Sequence, residues 1–106
     1  MENRLGNLEE MVLLMLILVK EEAYGVSVRE AYLKHLNQDI SLSAIHTVLR
    51  RLEKKGFITS EMGGSTQDRG GRRKRLYTVT KHGLRTLATL QAERDRIWGL
   101  LPKLDI

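Results

Sequence analysis

The cations of this 106-residue chain are concentrated in two clusters. "DRGGRRKR", residues 68–75, sets Arg69, Arg72, Arg73, Lys74 and Arg75 beside a single acid, Asp68. The second cluster, Arg50, Arg51, Lys54 and Lys55, lies in "VLRRLEKKG". Residues 41–82 carry ten Lys or Arg against three acids, a balance of +7; the rest of the chain comes to −2, within an overall +5. Guanidinium and ammonium groups at this density can grip a polyanion. Either cluster alone is also what an ordinary solvated surface looks like, so the elements that position them decide between the two readings.

Other chemistries find no support. The chain has no Cys, which excludes disulfides, thiolate metal sites and cysteine nucleophiles. His35, His46 and His82 show no metal-ligand spacing, and no acid cluster accompanies them. No Ser-His-Asp motif is present. "GGSTQDRGG" lacks both the lysine and the strand-to-helix setting of a phosphate-cradling loop. The expectation is a protein with no catalytic residue, no metal and no cofactor.

With 42% hydrophobic and 29% charged residues, the chain reads as one ordinary globular domain. Its longest apolar run, Met11 to Val19, covers nine residues. A membrane helix needs about 20. Glu9 and Glu10 precede the run where a signal peptide would carry cations, so a cytoplasmic location is expected.

Four helices and one hairpin are predicted. Asn7 can cap a first helix, residues 7–20, with Glu10 three positions on. That helix is apolar nearly all round and must be covered on all sides. "EEAYGV" breaks it, with Gly25 free to take a positive φ. A second helix, about 26–36, has Val28, Tyr32 and Leu36 on one face, and "NQDIS" forms a turn with a scrap of strand at Ile40. The third helix is capped by Ser41 or Ser43 and stopped at Gly56. Ile45, Val48, Leu49 and Leu52 follow i, i+3, i+4, i+7 spacing and face the core. The opposite face carries Ser43, Ala44, Thr47, Arg50 and Lys54, flanked by His46 and Arg51. Short polar groups followed by cations suit a helix in a DNA groove, base edges first and phosphates after. A plain solvated face remains the alternative for that helix in isolation. "FITSEM" and "RLYTVT" alternate as strands, with Tyr77 and Val79 inward and the basic loop between them. Helix, turn, helix and a basic hairpin make the winged helix-turn-helix plan: mainly α with a small β-hairpin. It brings both basic clusters to one side, with the hairpin gripping DNA.

"AYGVSVREAY", "VLRRLEKKGFITSE" and "GGRRKRLYTVTKHG", in this order, resemble the PadR family of bacterial transcriptional regulators over essentially the whole chain. The resemblance implies a homodimeric winged-helix regulator, usually a repressor, whose C-terminal helix helps form the dimer. A single C-terminal helix is similar to the short branch of the family, some of whose members bind flat hydrophobic compounds between subunits. Where members commonly show a Leu-Tyr-Pro-like segment, this chain has Ile45-His46-Thr47, so base preferences do not transfer at His46.

The last helix points to dimerisation on its own pattern. Leu87, Leu90, Arg94, Ile97 and Leu101 form a heptad seam beside a stripe of Leu84, Gln91 and Trp98, ending near Gly99 and Pro102. Leu84 and Leu87 are assigned to the domain's own core. The expected organisation is a winged-helix domain over residues 1–82 and a dimerisation helix over 83–106. The expected interface comprises Leu8, Met11, Val12 and Met15 of the first helix with Leu90, Arg94, Ile97, Trp98 and Leu101 of the last. Trp98 either packs there or stacks an aromatic or hydrophobic effector. The partners implied are double-stranded DNA at a near-palindromic operator and a second copy of the chain. A protein-interaction role for the winged helix is the competing reading.

Overall fold

The structure, a computed structural model, describes residues 5–63 and 74–105. Helix α1 spans Asn7–Val19. Its cap is Gly6, whose N–H donates to Glu9 Oε1 at 2.7 Å. The expected Asn7–Glu10 pair is therefore displaced by one residue, because the Glu10 carboxylate is taken by Arg94, 84 positions away. Val12, Leu13, Met15 and Leu16 are buried, whereas Leu14, Ile17 and Leu18 are exposed. A short 3₁₀ turn, Lys20–Glu22, leads out of α1, and the chain breaks at Lys20 (φ 60°). Gly25 is not at positive φ; it is the first residue of α2, Gly25–Leu36, which ends at a left-handed Asn37.

Helix α3, Leu42–Lys54, follows after a turn. Ser41 is its cap, Oγ accepting the Ala44 N–H at 3.1 Å, and Gly56 at φ 83° lets the chain leave it. All four predicted core residues of α3 are buried. No strand forms at Ile40. The extra pairing at the hairpin's outer edge comes instead from Ala23, whose carbonyl accepts the Tyr77 N–H at 2.9 Å.

Strands β1, Ile58–Met62, and β2, Arg75–Val79, pair antiparallel, with Ile58 opposite Val79 and Ser60 opposite Tyr77. Phe57, Ile58 and Tyr77 close the core over α1, α2 and α3; Val79 packs at its edge. Thr80 then starts α4, Lys81–Leu100, its Oγ1 accepting the Gly83 N–H at 3.0 Å and donating to Gly56 O at 2.8 Å.

Helix α4 docks by its first turns only. Leu87 is its last buried residue, Leu90 is half-buried, and every described residue from Gln91 on is exposed. Leu84, assigned in the sequence to the core, is 47% exposed, since it faces an open groove shared with Ile17 and Val79. The projecting helix makes the molecule long, 57 × 30 × 21 Å. Among the described residues no helix is long and apolar enough to cross a membrane.

Gly83 permits the docking. A Cβ built there would stand 2.5 Å from the Phe57 carbonyl oxygen and 3.0 Å from Val79 Cγ1. The first of these neighbours is backbone and cannot swing aside. Gly83→Ala should therefore cost about 1–3 kcal/mol, as overpacking does. Chemical denaturation of the variant checks this, and an unchanged midpoint would show that α4 docks more loosely.

Candidate nucleic-acid interface

The local sequence of α3 decides what it offers to solvent. Its apolar positions all turn inward, so Ser43, Thr47, Arg50, Arg51 and Lys54 are exposed along the outer side. Thr47 Oγ1 donates to the Ser43 carbonyl at 3.0 Å, which holds its hydroxyl in place while leaving the oxygen free to accept. Ala44 is half-buried, its N–H held by the Ser41 cap. Among the described residues, neither Arg50 nor Lys54 has a carboxylate partner at ion-pair distance. Lys55 is different: its Nζ lies 2.9 Å from both oxygens of the buried Glu9.

Burial of Glu9 works against its charge. The Gly6 N–H, the Lys55 ammonium and the Arg51 guanidinium outweigh that penalty and hold its carboxyl below the ordinary value. A depressed folded-state pKa stabilises the protein above the unfolded-state value, and that stability is lost as pH falls through the folded one. The thermal midpoint should drop as the pH is lowered below about 5. Glu9→Gln should lower the neutral-pH plateau and flatten part of that acid slope. An acid slope identical in the variant would show that other carboxylates carry it.

His46 is half-buried at the edge of the α3 face, its ring over the start of α2. A Cβ on Gly25 would meet His46 Cε1 at 2.8 Å, so a larger residue there must displace the His46 ring.

Of the five hairpin cations, Arg69, Arg72 and Arg73 lie outside the described residues. The other two are placed by contacts at the hairpin's base. Lys74 Nζ sits 4.2 Å from the centre of the Tyr24 ring, and the strand start is tied by Gly63 N–H to Lys74 O at 2.6 Å. Arg75 donates to Ser60 Oγ at 3.0 Å, and that hydroxyl donates to the Glu53 carboxylate at the end of α3. The hairpin stem is thus connected to the C-terminal end of α3.

The residues assigned to the dimer face divide. Val12 (0% exposed) and Met15 (5%) belong to the chain's own core and have no surface to present to a partner, a correction to the sequence reading. Leu8 and Met11 are half-buried at the edge of that core. Ile97 (56%), Trp98 (63%) and Leu101 (43%) are exposed. Arg94 forks onto Glu10, and with Leu90, Glu93, Ile97 and Trp98 it lines an open groove. Sequence reasoning missed the buried Glu9 and Glu10; two adjacent acids at the head of an apolar helix were the available signal. The structure places His82 in a stack on Phe57, ring centres 4.8 Å apart. Among the described residues no group of three or more His, Asp or Glu could hold a metal ion.

A helix pair presenting one polar, cationic face beside an antiparallel hairpin defines a winged helix-turn-helix protein. The model of the transcriptional regulator PadR-like family matches residues 13–89, and the chain belongs to that family of transcriptional regulators. It is similar to the crystal structure of a PadR family transcriptional regulator from Eggerthella lenta at 27% identity and a TM-score of 0.68, over 84% of this chain and 75% of that one. A PadR-like transcription factor from Bacteroides fragilis shares 25% identity at a TM-score of 0.72, covering 87% of this chain and 84% of its own. The fold also matches Bacillus subtilis PadR in complex with operator DNA, at 22% identity and a TM-score of 0.64, over 94% of this chain and 50% of that one. No curated protein matches in sequence.

Proposed function

We propose that the chain is a cytoplasmic, homodimeric, sequence-specific DNA-binding repressor, released from its operator by a small hydrophobic ligand. The carrying observation is the outer face of α3, where Ser43 and Thr47 precede Arg50 and Lys54, both cations without carboxylate partners among the described residues. Ser43, Ala44, Thr47 and Arg50 read base edges in the major groove; Arg51 and Lys54 hold phosphates. His46 borders the readers. Arg69, Arg72, Arg73, Lys74 and Arg75 form the wing. The operator-bound relative supports the DNA partner by its fold. The exposed apolar side of α4 supports the dimer, and its groove beside Trp98 supports a ligand between subunits.

A two-fold dimer requires a near-palindromic operator whose half-sites lie about one turn, roughly 34–36 Å, apart. Binding to native upstream DNA and to random DNA, followed at several salt concentrations, tests the reading. Replacing Arg72, Arg73 and Arg75 by Ala should weaken both alike and flatten the log–log salt slope by about 0.9 for each phosphate no longer neutralised. A slope that stays as in the unmodified protein would remove the wing from the interface. Binding without salt dependence would favour a protein partner.

A further inference from the structure

We propose that the Glu10–Arg94 ion pair sets the angle of α4 against the winged helix, making Arg94 a positioning residue that fixes the spacing of the two recognition helices. The inference rests on the dimer reading above. Beyond its first turn, α4 has one polar tie to the rest of the chain among the described residues, and this is it. Apolar anchorage ends with buried Leu87 and half-buried Leu90. Arg94 lies seven positions beyond Leu87, about two helical turns along the projecting stretch. Without the pair nothing described holds that stretch to α1.

The geometry suits orientation as well as attraction. Both terminal nitrogens of Arg94 meet both oxygens of Glu10, and such a fork fixes planes and not merely a distance. Glu10 is only 5% exposed, so an open pair would strand a carboxylate away from water. Its neighbour Glu9 is satisfied separately by Gly6 and Lys55. The pair therefore closes one defined arrangement. Ile97 of the seam and its neighbour Trp98 lie just beyond Arg94 on the same helix, and Leu101 of the seam caps its end. A tilt at the joint is multiplied across the body out to α3 on each subunit.

The chain lacks cysteine, so Gln38→Cys, in the exposed turn before α3, takes a single nitroxide label. The distance between the two labels of a dimer is read by pulsed electron resonance without DNA. One narrow distribution is expected for the unmodified pair. Glu10→Gln with Arg94→Gln, which removes the fork and leaves no stranded charge, should shift or broaden it by at least the rise of one base pair, about 3.4 Å. Arg94→Lys, keeping a cation but not the fork, should do the same while retaining thermal stability. On DNA, two base pairs inserted between half-sites should cost the unmodified protein about tenfold or more and each variant clearly less. A folded, dimeric variant with unchanged label distance and unchanged spacing preference would overturn the proposal. An unmodified protein that binds no operator overturns the regulator reading alone, since the label distance needs no DNA.

Discussion

Arg50→Glu combined with Lys54→Glu should abolish operator binding at physiological salt, lowering affinity at least about 100-fold. Each position is worth about 1–3 kcal/mol if it meets a base edge or phosphate, and 1.4 kcal/mol is a factor of ten. Reversing the sign also sets repulsion from the phosphates where there was attraction. Folding should survive, because both side chains are exposed and the buried side of α3 is untouched. Of the two acids only the one at position 54 falls in the last turn, where it opposes the helix dipole by about 0.3–1 kcal/mol. The measurement is fluorescence anisotropy on labelled operator beside a thermal midpoint. A milder variant separates reading from gripping: Thr47→Ala should reorder the preferred operators rather than weaken all of them. A folded double variant that still binds tightly would show that α3 is not the DNA-facing helix.

That helix was legible because its pattern has a phase. Ile45, Val48, Leu49 and Leu52 repeat at helical spacing among polar residues, so one direction is inward and the other must face out. The structure buries all four. The hairpin was legible for a similar reason, since period-2 alternation sets Tyr77 and Val79 on one face, and that face meets the core.

Helix α1 had no phase to read. An apolar run such as "MVLLMLILV" says that the helix is covered, not which residues the chain covers itself. The expectation that sets Val12 and Met15 at the interface rests on that run alone, whereas Leu14, Ile17 and Leu18 are the ones left exposed. The caps and breaks failed through distant partners. Asn7 is the better capping residue in isolation, yet Glu10 is claimed by Arg94 from the far end of the chain, and Glu9 turns back to Gly6 instead. Gly25, free in the sequence to take a positive φ, is helical instead and lies close under the His46 ring of the next helix. The family resemblance fixed the class of molecule; it could not supply these contacts between remote positions.

Ile97→Glu with Leu101→Glu should convert the protein into a folded monomer that binds DNA weakly. Ile97 is exposed on α4 and Leu101 at its C-terminal cap, both beyond the last buried residue, Leu87, so the single chain loses little packing of its own. Four carboxylates brought to one two-fold seam repel each other and are costly to desolvate. Sedimentation should then show the monomer mass at micromolar concentration, with the thermal midpoint becoming independent of concentration. Loss of the second, tethered half-site should reduce affinity for a full operator by about 10²–10⁴, the usual range for two linked modules. Affinity for an isolated half-site should stay as it was, because α3 and the hairpin are untouched. A dimer that persists with both glutamates would move the interface off α4, and onto the exposed Leu14, Ile17 and Leu18 of α1. Weakened half-site binding would instead mean that α4 shapes the recognition helix within its own subunit.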